Sequence, residues 1–581
     1  MEYFSNHYSD LKFSLSNIEN EGLRNAQIGA LHSIGSYFTL YKKNPALIVM
    51  PTGSGKTTVL ILSAFLLRAN RVLVVTPSVL VRGQIFDEFN KLKTAKELKA
   101  LPAKLQCPKV LEQRKNLINA EDWKILENFD VVVGTPNSIS YGIKEDFQPD
   151  EKLFDLILID EAHHSPAKSW NSIVESFPKS KKIFFTATPF RRDKKEITGD
   201  IIYHYPLSQA YEDKIFGEIS FYPIKKDLNP AVHDLLIAKN VEKIFQEDRK
   251  AGLEHFLFVR TSTKVHAKVL ERLYKENTSL SLRRIDSTKT YSYIKQSIKK
   301  LKSHELDGII CVDMLGEGFD FPNLKIAAIH SPHKSLAITL QFIGRFARTN
   351  TQNIKNAKFV AIADEEFDIE NNRLFAEDAI WKDIIIELSE GKIRMEDKTK
   401  KSFKTFHPRI NSMPDETKIS LYSLFPYFHV KIYSVEGFNI NGELNLPDLE
   451  VVFHQVSKEL ASVIILAKES TRPKWIKSDE LVDIRNFLFI IYFDEKTNLL
   501  FINSTIRKSI DLYDEILRTF SIGNASIIPK SRLNKVLSDL TDREFFNIGM
   551  LNRLSNTGES YRIITGQNAE KAITKSDGRL Y

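Results

Sequence analysis

A chain of 581 residues is too long for one hydrophobic core, and at roughly 150 residues per domain it divides into about three or four units. Its composition is 42% hydrophobic, 27% charged and 10% aromatic, which excludes a disordered chain, and its two cysteines, Cys107 and Cys311, lack the spacing of a disulfide framework or a zinc site. The formal charge of +8 suits a polyanionic partner without establishing one; with no secretory leader and no apolar stretch near the ~20 residues that span a bilayer, the expectation is a cytoplasmic protein with no membrane partner.

Short apolar runs separated by helix-length segments fill the first part of the chain: ALIVM (46–50), RVLVV (71–75), DVVVG (130–134), LILID (156–160) and KIFFT (182–186). Uniformly apolar runs of this length predict parallel strands buried on both faces, and chemistry then belongs at their C-terminal ends. After the first run comes PTGSGKTT (51–58). A strand, a glycine turn and a Lys-Thr pair opening a helix form a phosphate cradle: Gly53 and Gly55 let backbone N–H groups face a β-phosphate, Lys56 neutralises β/γ oxygens, and Thr57 ligates Mg²⁺. The strict pattern asks for glycine at position 50, where this chain has Met50. After the fourth run come Asp160 and Glu161, placed respectively to hold a metal-bound water and to deprotonate the water that attacks the γ-phosphorus. An acidic pair at a strand end can also merely cap a helix, and the adjacent His163 and His164 cannot easily face one zinc ion.

A second set of strands is predicted at 255–259, 281–285, 308–312, 325–329 and 358–362, which gives a second lobe and a cleft between lobes. The passage between lobes falls within 191–223, which carries the charged RRDKKE. Residues 391–404, GKIRMEDKTKKSFK, read as a charge-dense linker. Beyond it, 486–504 reads as an antiparallel hairpin and 511–520 and 531–540 as short helices, with Phe425, Tyr427 and Phe428 as candidates for base stacking or core packing. Residues 447–470 superficially resemble a PD-(D/E)xK nuclease core, but Leu466 stands where an acid is required, so a metal would lack a ligand.

MPTGSGKT, DEAHH and TATP (186–189), in that order, resemble motifs I, II and III of superfamily 2 helicases and translocases of the DEAD/DEAH-box group. LRNAQIGA (23–30) resembles the adenine-reading element, with Arg24 and Gln27 at the base; VTPSVLVRGQ (75–84) and GTP (134–136) resemble motifs Ia and Ib, which in the family grip a nucleic-acid backbone. FLFVRTS (256–262), VDMLGEGFDFP (312–322) and QFIGRFAR (341–348) resemble motifs IV, V and VI. The resemblance covers roughly residues 20–365 and is nearest the restriction-enzyme translocating subunits. It implies two tandem RecA-like lobes, an ATP-binding lobe over 1–200 and a helicase C-terminal lobe over 201–390, followed by a C-terminal α+β domain over 391–581.

The catalytic set that it implies is Lys56, Asp160, Glu161, Gln341, Arg345 and Arg348, the two arginines reaching the γ-phosphate when the lobes close. ATP would be held by Arg24, Gln27, Thr52, Gly53, Ser54, Gly55, Lys56, Thr57, Thr58, Gly318 and Asp320, and Mg²⁺ by Thr57 and Asp160. His163, Thr186 and Thr188 would couple ATP state to the second lobe, while Thr76, Pro77, Arg82, Thr135 and the Arg260-Thr261 turn would grip the strand. The implied function is an ATP-dependent helicase or translocase, with DNA favoured over RNA, serving antiviral or restriction-type defence, with a nuclease or similar effector as a second protein. The alternative is an ATP-gated nucleic-acid sensor that signals to such an effector.

Overall fold

The computed structural model describes residues 2–16, 21–40, 44–140, 143, 148–164, 168–189, 197–286, 288–289, 291–312, 323–332, 339, 342–343, 346, 356–363, 374, 381–411, 419–424, 430–444, 449–471, 483–505, 510–529, 547–552 and 560–565. They form two compact units, Met1–Arg394 and Met395–Tyr581.

The first unit contains two parallel sheets. The first comprises β1 (Ala46–Val49), β2 (Val72–Val75), β3 (Val110–Glu112), β4 (Val131–Gly134), β5 (Leu156–Ile159), β6 (Lys181–Thr186) and β7 (Asp200–His204), in the order β3-β4-β2-β5-β6-β1-β7. β1, β2 and β5 are apolar at every position because both faces are covered. Ala46 and Ile48 enter one core while Leu47 and Val49 enter the other, and Leu156/Leu158 against Ile157/Ile159 divide the same way. The second sheet comprises β8 (Ile219–Ile224), β9 (Phe256–Thr261), β10 (Leu282–Ile285), β11 (Gly308–Val312), β12 (Leu324–Ile329) and β13 (Ala357–Ile362), in the order β10-β11-β9-β12-β13-β8. One continuous hydrophobic core takes residues from both sheets, from Phe4 to Ile385.

Two differences from the sequence reading are informative. β7 pairs with β1, so the first sheet runs past residue 200, and the chain passes between sheets after His204 and before Ile219. β7 is only half-buried along its length, so it lacks the apolar run that marks its neighbours. Residues 391–404 are not a linker: they are the second half of a helix, Trp381–Lys404, that runs through the division between the two units. That stretch is rich in Lys, contains no proline, and pairs Asp397 with Lys401 one turn on at 2.6 Å, so its charges decorate a helix.

The second unit is built on a seven-stranded antiparallel sheet: β14 (His407–Asn411), β15 (Val430–Ser434), β17 (Glu450–Ser457), β18 (Ser462–Thr471), β19 (Asp483–Asp494), β20 (Leu499–Ser504) and β22 (Ser526–Ile527). The short pairs β16 (Gly437–Phe438) with β21 (Ser521–Ile522) and β23 (Asn547–Asn552) with β24 (Ser560–Thr565) accompany it. The expected hairpin is β19–β20, and the helix Ile510–Phe520 lays Leu512, Tyr513, Ile516 and Phe520 on one face of the sheet. The 447–470 stretch is a hairpin, β17–β18, in which Lys468 is ion-paired to Glu450 at 3.0 Å, and among the described residues no acid/His/Cys cluster could hold a metal. Residues 531–540 and Phe425, Tyr427 and Phe428 lie outside the described residues.

Candidate ATP site and nucleic-acid face

The loop between β1 and the helix Lys56–Leu66 is anchored at both ends. The Met50 N–H donates to the Thr186 carbonyl at 3.0 Å, and the Met50 side chain is buried in the core, so the position where a strict pattern wants glycine is a packing position here. Ser54 folds the turn back, its N–H and hydroxyl both donating to the Pro51 carbonyl at 3.3 and 2.7 Å. Gly53 and Gly55 have φ of 90° and 92°, a region that costs any side chain strain, and a Cβ on Gly55 would collide with the Gln27 amide. Of the two threonines that follow, Thr57 is exposed at the start of the helix and Thr58 is buried, which leaves Thr57 as the hydroxyl able to meet a metal.

Arg24 and Gln27 open the helix Asn25–Thr39 and clasp this loop from behind. Arg24 donates to the Gly53 carbonyl at 2.9 Å, Gln27 Nε2 to the Gly55 carbonyl at 3.4 Å, and the Arg24 N–H to Gln27 Oε1 at 2.9 Å. Thus the pair expected beside adenine is also tied mechanically to the phosphate loop.

At the end of β5, Asp160 accepts the Glu161 N–H at 3.0 Å, and Glu161 takes a left-handed φ of 52°. That turn swings the Glu161 carboxylate to Lys56, whose Nζ donates to Oε1 at 2.9 Å, with the side chains only 15% and 10% exposed. Burial alone would raise the Glu161 pKa, but the Lys56 ammonium, with His163, holds the carboxyl well below the usual range. His163 Nδ1 lies 3.4 Å from Glu161 Oε2 and 3.3 Å from Thr186 Oγ1. Glu161 Oε2 has no hydrogen-bond partner among the described residues, so the approach of His163 is a close ion-pair contact. Thr186 closes the chain, its hydroxyl donating to the Thr188 carbonyl at 3.0 Å and accepting the Thr188 N–H at 3.1 Å. Phosphate lysine, acid, histidine and the Thr186/Thr188 turn are therefore one connected network. The His164 side chain lies outside the described residues.

The residues expected to grip a strand divide differently. Thr76 is fully buried, its hydroxyl turned to the Ser78 and Gly134 carbonyls. Arg82 is also buried, with Nε donating to Glu112 at 3.1 Å and NH1 to the Gln113 carbonyl at 3.3 Å; it holds its helix to β3, and these contacts do not support a phosphate grip. Arg260 and Thr261 are the last residues of β9 rather than a turn, and both are buried. Pro77 and Thr135 remain partly exposed at the ends of β2 and β4. Thr76, Arg260 and Thr261 turn inward because the ends of their strands are still inside a two-faced core, and Arg82 because its helix is held to β3.

Sequence reading missed a polar network at the end of β9. The Asp234 carboxylate joins His266 Nε2 and His330 Nδ1, each at 2.7 Å, so both rings donate to it. The other ring nitrogens meet the Thr261 hydroxyl at 2.7 Å and the Tyr274 hydroxyl at 3.0 Å. The two histidines lie 32 and 96 positions from Asp234, so no local pattern could have revealed them. The Arg82–Glu112 pair was missed for the same reason.

In the second lobe Phe342, Ile343 and Phe346 are buried, while Gln341, Arg345, Arg348, Gly318 and Asp320 lie outside the described residues. Ile343 and the phosphate-loop residues Pro51 and Thr52 line one cleft, together with Ala187, His204 and Ile385. Ile343 of the second lobe thus shares a cleft with the phosphate loop.

Residues 20–191 match the family described as type III restriction enzyme, res subunit, and residues 237–350 match the helicase conserved C-terminal domain. This pair of domains on two parallel-sheet lobes makes the chain a helicase-family, ATP-dependent nucleic-acid enzyme, similar to the superfamily 2 helicases of the ResIII-like kind. It is similar to a protein named helicase 22 in a Sulfolobus islandicus filamentous virus, 26% identical over 65% of this chain and 70% of that one. It is also similar to a protein named ATP-dependent helicase IRC3 in Saccharomyces cerevisiae, 26% identical over 38% of this chain and 36% of that one. Among solved structures, a fragment described as the HsdR subunit of a type I restriction enzyme from Vibrio vulnificus is 19% identical, with a TM-score of 0.42 over 59% of this chain and 66% of that one. Among the described residues no helix is long and apolar enough to cross a membrane.

Proposed function

We propose that the protein is an ATP-driven nucleic-acid motor that hydrolyses ATP between its two lobes and acts on DNA in preference to RNA, in a restriction-type or antiviral setting. The observation that carries the ATP reading is the Lys56–Glu161 contact at the mouth of a glycine cradle, with Ile343 of the second lobe lining the same cleft. The preference for DNA rests on the family description, since restriction enzymes act on DNA. Domain limits near 1–200, 201–390 and 391–581 fit this division of labour, with the first sheet extended through β7.

Gly53, Ser54 and Gly55 cradle the phosphates, and Lys56 exchanges Glu161 for β/γ oxygens of ATP. Glu161, freed of its partner, accepts a proton from the water that attacks the γ-phosphorus; the bond to the bridging oxygen breaks and ADP and phosphate leave. The exposed Thr57 hydroxyl and the Asp160 carboxylate are hard oxygen donors that fit Mg²⁺, which when bound screens phosphate charge. Thr52 borders the cleft, and Arg24 and Gln27 set the loop from behind. His163, Thr186 and Thr188 pass the state of Glu161 to the end of β6. Arg345 and Arg348 supply positive charge from the second lobe on closure, Gln341 a neutral amide beside them, and Gly318 and Asp320 hold the ribose side. Pro77 and Thr135 lie on the strand-binding face, where backbone contacts give weak sequence preference and a strong salt dependence.

The test is ATPase stimulation by single- and double-stranded DNA and RNA at two salt concentrations, followed by strand displacement on tailed duplexes. Stimulation by DNA with displacement or translocation supports the motor. Stimulation without either favours a sensor acting through a partner effector, and the absence of stimulation by any nucleic acid removes the reading.

A further inference from the structure

The strand ends expected to grip a nucleic acid offer little positive charge: Arg82 and Arg260 are buried, and the partly exposed Pro77 and Thr135 are neutral. The charge lies elsewhere. Residues 264–302 hold eleven Lys and Arg against three Asp and Glu, a surplus of +8 that equals the formal charge of the whole chain, so the remaining residues balance at 71 of each sign. This stretch comprises the helix Lys264–Asn277, the strand β10 and the helix Tyr291–Lys302, and β10 ends the second sheet on the edge opposite β8. Arg284 of β10 reaches Glu271 of the first helix at 3.1 Å and Arg283 the Tyr293 ring of the second at 3.9 Å, so the three elements form one continuous edge.

The charges are arranged at a cost to the free protein. Of the three acids, Glu271 and Asp286 are both taken by the single cation Arg284. Lys264, Lys268 and Arg272 stand exposed at i, i+4 and i+8, about 6 Å apart along one stripe, and like charges at that spacing repel. Among the described residues none of the three has a carboxylate within ion-pair distance. Lys264 is also the first residue of its helix, whose first turn holds no acid, so it opposes the helix dipole. Arg283 and Lys289 both stand over the Tyr293 ring, at 3.9 and 4.8 Å, which gathers two cations on one aromatic side chain. A polyanion laid along the edge relieves each of these repulsions. Charges on an edge strand also prevent pairing with another sheet, but either sign serves that purpose. A protein interface is poor in lysine and centred on large apolar side chains, whereas the exposed apolar side chains of the first helix are Val265 and Val269.

We propose that the edge formed by β10 and its two flanking helices is a second nucleic-acid surface, which holds the phosphate backbone outside the cleft of the phosphate loop through Lys264, Lys268, Arg272, Arg283, Lys289 and Lys299. The surface deepens the motor reading given above and rests on it. Contacts of this kind carry no sequence information; they add affinity and salt dependence.

The experiment uses the full chain and measures binding of a fluorescent DNA duplex, its single strand and the matching RNA across a range of salt, with thermal unfolding as the check on folding. Lys264→Gln/Lys268→Gln/Arg272→Gln is expected to weaken binding at low salt by at least ~10-fold and to reduce the slope of log K against log salt by about 2 to 3, with Tm unchanged or raised. Arg283→Gln/Lys299→Gln, on the other flank, should reduce the slope by about 1 to 2 and decides alone if the triple variant does not fold. Failure of both to fold marks the edge as structural and overturns the proposal. Lys12→Gln/Lys104→Gln/Lys124→Gln removes the same charge from exposed positions of the first lobe and should change the slope by less than about 0.5. An unchanged slope in folded edge variants, or an equal drop in the first-lobe triple, overturns the proposal. Displacement of DNA from the edge by polyglutamate at equal charge concentration would assign the surface to an acidic protein and overturns it too. If the unaltered protein binds neither DNA nor RNA at low salt, the motor reading itself fails; binding with unchanged slopes removes only this edge.

Discussion

Lys56 Nζ and Glu161 Oε1 lie 2.9 Å apart although 105 positions separate the residues in the chain. The two groups belong to different strand ends of one sheet and neutralise each other in a nearly closed site. Their removal should therefore be asymmetric. Lys56→Ala leaves a buried carboxylate without its strongest counter-charge, so it is expected to destabilise the fold by ~3 kcal/mol and to abolish ATP binding. Glu161→Gln removes charge at constant shape, so it should keep ATP binding and most of the stability while turnover falls by ~10²–10⁴-fold. Chemical denaturation together with single-turnover hydrolysis checks both, and near-normal turnover in folded Glu161→Gln would remove the general base.

The same pair sets an acid limit. Glu161 has a depressed folded pKa, despite the opposing effect of its burial, so its contribution to stability is present above the ordinary carboxylate value and is lost as pH falls through the folded value. At neutral pH the carboxylate is ionised and able to act as a base. Lys56→Ala removes the larger of the opposing causes, so the acid unfolding midpoint should move to higher pH; an unmoved midpoint would show that His163 and the surrounding dipoles carry the effect.

Arg82 offers a test in which two roles predict opposite readouts. Its donors are committed to Glu112 and the Gln113 carbonyl inside the first lobe. Arg82→Ala is therefore expected to lower stability by ~1–2 kcal/mol, because Glu112 keeps Arg114 at 2.6 Å but loses its buried partner, and to leave the salt dependence of nucleic-acid binding unaltered. A lost phosphate contact would instead reduce the slope of log K against log salt by about 1 with little change in Tm. Titrations at several salt concentrations on the variant separate the two.

What the sequence disclosed and what it hid follow from the range of the interactions. Ile48, Val74, Val132, Leu158 and Phe185 stand in runs so uniformly apolar that only strands buried on both faces accommodate them, and the glycine turn before Lys56 carries its chemistry in eight consecutive residues. β7 and β8 stayed hidden because they are only partly buried at the sheet edges and lack the apolar signature. The charged half of the Trp381–Lys404 helix read as a linker because charge density shows solvent exposure but not backbone state. Within the site, the orientation of Thr76 and Arg82 depended on partners tens of residues away, Gly134 and Glu112, and that of Thr261 on His266 five positions on, none of which motif spacing encodes.

The Asp234–His266–His330 network gives the second lobe its own pH dependence. His330 is fully buried, and burial pushes its pKa down more than Asp234 pulls it up. It is therefore neutral in the fold and titrates near ~6.5 when unfolded, so the stability linked to it is complete above that value and declines as pH falls below it. Asp234 is depressed, against its own burial, by the two histidines, and adds a second loss at more acidic pH. Thermal unfolding should show Tm decreasing between pH 7.5 and about 5.5. His330→Gln removes one titrating group and should flatten that slope; an identical slope in the variant would assign the titration elsewhere.

Gly391 sits in the interior of the Trp381–Lys404 helix, four residues before the division between the two compact units. A Cβ built there meets nothing within 4 Å, so packing does not require glycine, and the position lies outside the left-handed φ region that would. What glycine contributes is local weakness, about 1 kcal/mol relative to alanine in a helix interior. Gly391→Ala is therefore expected to stabilise the protein by ~0.5–1 kcal/mol, while Gly391→Pro, which removes an i→i−4 hydrogen bond and forces its ring against the preceding turn, should cost ~3 kcal/mol. The helix is pinned on the first-unit side by the Ser208 N–H donating to Glu390 at 3.0 Å and by Trp381 stacked on Phe221, so loosening at 391 acts on the portion that leads into the second unit. Hydrogen exchange across residues 386–404 reads this directly: protection should rise in Gly391→Ala and collapse in Gly391→Pro, with the amides of β1 and β5 unchanged. Unaltered protection in both variants would show that the glycine is not the weak point of the helix.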